Sequence, residues 1–528
     1  MADEDQSLTG QNSLMERFPS VTDNEIEADK TNPAIRLYGR RFYKDQTPIE
    51  YLAEFLLVFS SAKGESKTDT FSFSIAADAK PIYWPEDRIA LKLFSFFPSS
   101  KLETRHAVHQ SEYIKVLEDL KAKVHGTNEE KEEAIRLIQS LFGGFVGVAK
   151  NRTWVTHSFL PASTSLLARE IDWLHSKATR DTELDSWVDA TQYFATDRHN
   201  FMARGGELLF LQLANLFSKD EHPVLVSLKA DCGYEHLQKH LLSDLKTGIE
   251  AGLREILTGA ARPIDGLAKF VEDTLHLYQL GDEKKRAPLG WVPSASLPEA
   301  FLFASELSNI SLSKLGALEK LDLLRILCCM QVLRSLCFQA SRFDNSVNAT
   351  EGFFGNYAWT ASDANALPGN GTRKLSQSSF ERIEELLYRV LRLVANSSRS
   401  AVPSFTEADK HGFQIFRKIA KEIGLVIPRT GRGQRFVLTP ALLRFFVASL
   451  LAPQERVRLT EFYARVFAHY GIALGEQQLV TALAWSGSSS GTKDYAVAAN
   501  TAWIEEALQQ GGFLVELSDA VSIVHNPG

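Results

Sequence analysis

The feature that most constrains this chain is an apolar spacing of three and four residues that recurs through its middle. Leu166–Ser176, Asn200–Phe217, Tyr234–Thr258, Pro263–Leu280, Ser313–Gln339 and Ser376–Asn396 all carry it. Side chains three and four apart share one face of a helix, so each stretch predicts an amphipathic helix with a stripe to bury. No period of about 34 to 47 residues repeats with fixed signature positions, which argues against a helical solenoid. Between these helices, Ser341–Gln377 is rich in Gly, Asn, Ser and aromatic residues and reads as a long loop.

At 528 residues the chain exceeds one compact core, and about two to four domains are expected. The resulting reading is mainly α with an α+β N-terminal part. Residues 1–31 are an acidic leader expected to be disordered, 32–160 an α+β domain, 161–400 a helical domain, and 401–528 a winged-helix-like C-terminal region. Within 32–160, Thr47-Pro48 supplies an N-cap and a proline at the first helical position, with Glu50 in the capping-box place. Thr68–Ala76 and Ile89–Phe97 alternate as strands do, and helices follow near Glu103–Val124 and Asn128–Phe142.

The net charge of −7 is unevenly spread. Residues 1–30 hold eight acids against Arg17 and Lys30, as a solubilising tail or an occupant of a basic groove would. Residues 401–444 hold eight Lys and Arg against Glu407, Asp409 and Glu422. That basic stretch reads as a helix (Glu407–Ile423), a two-strand ribbon turning at Thr430-Gly431-Arg432-Gly433, and a second helix from Thr439-Pro440. Glycines at a ribbon turn permit positive φ, and the flanking arginines could reach phosphates. Arg429, Arg432 and Arg435 on the ribbon, with Arg417, Lys418 and Lys421 on the helix before it, are the candidate nucleic-acid contacts. The competing account is a solvated helix face whose arginines pair with acids elsewhere in the chain.

Further helices are predicted at Arg456–Tyr470, Gln477–Trp485 and Thr501–Gln510, then a hairpin of Phe513–Leu517 and Val521–His525. The Thr501–Gln510 helix carries Glu505 and Glu506 and no basic residue, so this second helix and wing would repel phosphate and face protein.

Other motifs are better explained structurally. Arg36, Arg40 and Arg41 interleave with Tyr38, Phe42 and Tyr43 as in single-strand grooves, yet an interface strand accounts for them equally. Cys232, His236 and His240 would share one helix face, but no third or fourth metal ligand can be named. Gly487-Ser488-Ser489-Ser490-Gly491 formally matches G-x-S-x-G but lies in a Ser/Gly-rich linker, not at a strand-to-helix elbow. Gly369-Asn370-Gly371-Thr372-Arg373-Lys374 has the residues of a phosphate loop in the wrong order, and no G-x-x-x-x-G-K-[ST] string occurs. Pro85-Glu86-Asp87 with Lys92 is the nearest approach to a nuclease cluster. Cys328, Cys329 and Cys337 fall in one apolar helix and read as core thiols. No apolar run approaches the ~20 residues needed to span a bilayer, and the polar N-terminus does not read as a targeting peptide. The cytoplasm is the expected compartment.

Two stretches, Asn32-Pro-Ala-Ile-Arg-Leu-Tyr-Gly-Arg-Arg-Phe-Tyr43 with Tyr51–Phe59, and Gly424-Leu-Val-Ile-Pro-Arg-Thr-Gly-Arg-Gly-Gln-Arg435, resemble accessory proteins of bacterial anti-phage defence islands. The resemblance implies a subunit, neither ATPase nor nuclease, that works beside a motor or nuclease encoded nearby. It carries no active-site residue across. The expected function is therefore a DNA-binding adaptor subunit of such a complex, without cofactor or metal. The alternatives are a protein scaffold that does not bind DNA, and an enzyme with dispersed catalytic residues.

Overall fold

The computed structural model describes residues 16–20, 32–40, 46–61, 63, 70–75, 107–142, 172–173, 186, 194–195, 205–231, 233–261, 289–344, 350, 352–396, 404–486, 501–518 and 521–528. Helices dominate them, as expected. In chain order these are α1 (Pro33–Tyr38), α2 (Pro48–Ser60), α3 (Ala107–Lys123), α4 (Asn128–Phe142), α5 (Gly205–Leu216), α6 (Pro223–Ala230), α7 (Leu242–Ala261), α8 (Leu297–Leu312) and α9 (Ala317–Phe343). Then follow α10 (Gly371–Asn396), α11 (Phe405–His411), α12 (Phe413–Glu422), α13 (Pro440–Leu450), α14 (Leu459–Tyr470), α15 (Glu476–Trp485) and α16 (Ala502–Gln510).

Strands are short. β1 (Arg17–Phe18) pairs antiparallel with β4 (Val292–Pro293), and β2 (Asp172–Trp173) with β3 (Phe194–Ala195). β5 (Trp359–Thr360) runs parallel to β9 (Ile472–Ala473), while β6 (Val426–Ile427) and β7 (Arg435–Phe436) form an antiparallel ribbon. β8 (Arg456–Arg458), β10 (Leu514–Ser518) and β11 (Val521–His525) make a three-stranded sheet in the order β10–β11–β8.

One continuous hydrophobic cluster runs from Ala34 on α1 to Val524 on β11. Its centre is α9, where the run Ile326–Ala340 is buried throughout. Cys328, Cys329 and Cys337 sit in that run as free thiols, and burial pushes each thiol up. α2 is buried on every side, with both α5 and α9 packed against it. A Cβ on Gly206 would meet the Tyr51 carbonyl oxygen at 2.3 Å and the Phe55 nitrogen at 2.5 Å, so only glycine admits this approach. The Glu50 carboxylate accepts from the Thr47 backbone N–H (2.7 Å) and hydroxyl (2.9 Å), which fixes the helix start as its sequence predicts.

Several expectations are corrected. The segment read as a strand at Thr68–Ala76 is, over residues 70–75, a turn followed by irregular backbone, with Phe71 at φ 54°. Its backbone is satisfied by a side chain, since Glu250 accepts from Phe73 N (2.8 Å) and Ser72 Oγ (3.1 Å). Phe73 stacks on Phe210 and contacts Phe55, Phe59 and Phe217, so its alternation reflects one buried ring, not sheet pairing. The helix expected over Tyr234–Thr258 begins only at Leu242. Tertiary bonds hold its first residues away, the Tyr234 hydroxyl donating to the Ala468 carbonyl (2.6 Å) and accepting from Phe354 N (2.9 Å). Asp172–Trp173, inside an expected helix, pairs as a strand instead.

The single helix expected at Glu407–Ile423 is broken at Gly412 into α11 and α12. A Cβ there would stand 2.7 Å from Leu391 Cδ1 of α10. The helix expected over Arg456–Tyr470 yields its first three residues to β8, because β11 offers them ladder partners. Ser341–Gln377 contains the expected irregular connection, between α9 and α10, but Tyr357 and Trp359 within it are fully buried core residues. At Arg17–Phe18 the acidic leader is not free but strand-paired, with the Arg17 guanidinium 4.4 Å above the Trp291 ring. Ile89–Phe97, Pro263–Leu280, Pro85–Lys92 and Gly487–Gly491 lie outside the described residues.

Candidate nucleic-acid interface

The β6–β7 ribbon is held by apolar packing at its base. Phe436 stacks on Trp359 with ring centroids 5.2 Å apart and packs edge-on against Phe380 of α10. Ser376 Oγ of α10 donates to the Phe436 carbonyl (2.6 Å), and Ser362 forms a parallel bridge with Val437. The tip beyond this base turns at Gly431 (φ 92°) and Gly433 (φ 76°), conformations that strain any residue with a Cβ.

The six predicted contacts separate into two groups. Arg429 and Arg432 are exposed at the tip, and neither has an ion pair among the described residues. Arg429 feels the charge of Glu422. The other four are engaged or sheltered. Arg417 makes a bidentate pair with Glu384 of α10 (Nε–Oε1 2.6 Å, Nη2–Oε2 2.8 Å), and those hydrogen bonds hold its guanidinium above the usual range. Lys418 donates to the Gln46 carbonyl (3.1 Å) and lies 3.8 Å from Glu422. Lys421 is half-buried, and burial followed by repulsion from Arg417 pushes its ammonium down. Arg435 is only 5% exposed and donates through Nη2 to the Ala364 carbonyl (2.8 Å). Burial, then the nearby Arg373, pushes its guanidinium down. Arg435 is thus a buried prop under the ribbon, and Arg417 is a structural ion pair. Both engagements come from partners distant in sequence.

The structure adds cations that the sequence reading set aside with the failed phosphate loop. Asn370 Oδ1 accepts from Arg373 N (3.0 Å), so the Gly369–Lys374 string caps α10. Arg373 donates through Nη1 to the Ala366 carbonyl (2.7 Å), and Lys374 is exposed. The helix opens beside the ribbon, since a Cβ on Gly433 would lie 3.9 Å from Gln377 Oε1.

A second polar cluster crosses the core. Glu306 (α8) receives two hydrogen bonds from Arg334 (α9) at 2.6 and 2.8 Å and one from His469 Nδ1 (α14) at 2.7 Å. Arg334 also donates to Gln331 Oε1 (2.8 Å), Gln331 to Gln212 Oε1 (2.7 Å), and Gln212 to Ser335 Oγ (3.0 Å). At the other end His469 Nε2 meets His236 Nε2 at 2.9 Å. An ionised Glu306 requires the proton on His469 Nδ1, so His469 Nε2 accepts and His236 Nε2–H donates. Burial alone would raise the Glu306 carboxyl, but Arg334 and His469 overcome it and hold it below the usual range. Burial lowers His469 and His236, the latter to about 2, with neighbouring His469, Arg465 and His240 adding to the effect on His236.

His236 lies in a 3-10 turn (Glu235–Leu237) and His240 beyond it, so the shared helix face predicted for them does not exist. Cys232 lies outside the described residues. Among the described residues no three His, Cys, Asp or Glu side chains are arranged to hold a metal, and no helix is long and apolar enough to cross a membrane. No protein-family model, no curated protein and no solved structure matches this chain.

Proposed function

We propose that this chain is a non-catalytic adaptor that binds DNA through the tip of the β6–β7 ribbon, as one subunit of a cytoplasmic prokaryotic defence complex. One observation carries the reading. Arg429 and Arg432 stand exposed and without ion pairs among the described residues on a glycine-turned ribbon, while Arg417, Lys418 and Arg435 around them are bound to protein groups. Two such guanidinium groups on a projecting turn suit phosphate oxygens.

The element order supports winged-helix-like units. In each half of the C-terminal region a helix leads into an antiparallel hairpin, and β8 flanks β11 in the β10–β11–β8 sheet. In the second unit, α16 carries Glu505 and Glu506, which suits a protein partner better than a polyanion.

The competing reading is a scaffold without DNA binding, favoured by the engagement of Arg417, Lys418 and Arg435 within the chain. A low-salt gel shift with full-length protein and a mixed-sequence duplex separates the two. Arg429→Glu with Arg432→Glu abolishes retention on the adaptor reading, while Arg417→Gln leaves it intact. Equal retention by the charge-reversed protein would remove the ribbon as the contact.

A further inference from the structure

Resting on that reading, we infer that the opening turns of α10 form the second wall of the same site, and that this site takes only the phosphate backbone, never base edges.

The first argument is placement. Gln377 Oε1 would lie 3.9 Å from a Cβ on Gly433, and Ser376 beside it donates to the Phe436 carbonyl of the ribbon. Arg373 and Lys374 precede Gln377 by four and three residues, so all three are neighbours on the surface of α10. Arg373 is close enough to Arg435 for their charges to oppose one another. The exposed Lys374 has no ion pair among the described residues. Arg429 and Arg432 thus lie on a ribbon whose base packs against the helix that carries Arg373 and Lys374, and Arg435 is buried. The acids at this place are Asp363, which acts on Arg435, Glu422, whose charge acts on Arg429, and Glu381, whose Oε1 accepts from Gln377 Nε2 (2.9 Å). The helix end itself is not the attraction, because Asn370 already occupies the Arg373 N–H.

The second argument is what the neighbouring helix cannot do. In a winged-helix unit the helix before the hairpin is the one that enters a major groove and reads bases. Here that helix is α12, and Ile415, Phe416, Ile419 and Ala420 on it are buried against the core. Two of its three cations are committed as well, Arg417 to Glu384 and Lys418 to the Gln46 carbonyl, and Lys421 is half-buried. Arg417 and Lys418, the cations held in this way, are not free to reach base edges. What remains are exposed cations on the ribbon tip and at the start of α10, a surface that neutralises phosphates and ignores sequence.

The test measures full-length protein against a fluorescent mixed-sequence duplex over a salt series. For Lys374→Gln the slope of log affinity against log salt should fall by about 1, with wild-type thermal stability retained. A scrambled duplex should bind within about twofold of the first. Unchanged affinity and slope for both Lys374→Gln and Lys374→Glu, while Arg429→Glu/Arg432→Glu loses binding, would overturn the second wall and leave the ribbon contact standing. A tenfold or larger preference between the duplexes would overturn the restriction to backbone. Failure of the wild-type protein to bind any duplex would overturn the adaptor reading together with this one.

Discussion

Replacing Glu306 by Gln should destabilise the protein by about 3–5 kcal/mol, the cost of leaving one member of a buried ion pair unpaired. Glu306 and Arg334 are both fully buried, at 0% side-chain exposure, so water cannot take over the lost charge. The amide keeps the carboxylate's shape and one acceptor oxygen, yet it cannot satisfy both Arg334 bonds and the His469 bond. Against a typical total stability of about 5–15 kcal/mol this is a large fraction. In urea the midpoint should drop by about 1–2 M at a slope of about 2–3 kcal/mol/M. The double variant Glu306→Leu with Arg334→Met removes both charges and should recover most of the loss. A loss below about 1 kcal/mol for Glu306→Gln would refute the reasoning, because Arg334 would then have to be solvated or otherwise neutralised.

Two further predictions concern stability. His236, His240 and His469 all have folded values below the unfolded value of about 6.5, so the neutral rings stabilise the fold above that pH. Stability should therefore fall as pH drops below about 6.5 toward the folded values, by up to about 1.4 kcal/mol per pH unit for each ring that stays neutral in the fold. His236→Gln should flatten that decline in unfolding midpoint measured from pH 7 to 5, and an unaltered pH profile would contradict it. Gly206→Ala should force α2 and α5 apart at a cost of about 1–3 kcal/mol, seen as a lower melting temperature. A melting temperature equal to wild type would show that the two helices do not lie in backbone contact.

Local signals were legible wherever the determinant lay within a few residues. The capping residues at Thr47 and Glu50, the α3–α4 pair and the closing hairpin β10–β11 all follow from spacing and turn chemistry. The ribbon turn was legible for the same reason, since Gly431 and Gly433 announce positive φ. Segments failed where a distant partner competed for the backbone. Glu250 replaced a strand neighbour at Phe73, β11 recruited Arg456–Arg458, and Ala468 and Phe354 held Tyr234 out of a helix.

The sequence by itself determined that the chain is mainly helical and that a basic ribbon turns on two glycines. Periodicity and backbone conformation are properties of neighbours along the chain, so a linear reading reaches them. Only the tertiary structure decided which cations are free. Arg417 finds its acid 33 residues away and Lys418 its carbonyl 372 residues away, whereas Arg429 and Arg432 make no ion pair among the described residues. It likewise assembled Gln212, Glu306, Arg334 and His469, from four separate helices, into one buried chain. Charge and hydrogen bonding depend on distance through space, and folding alone sets that distance.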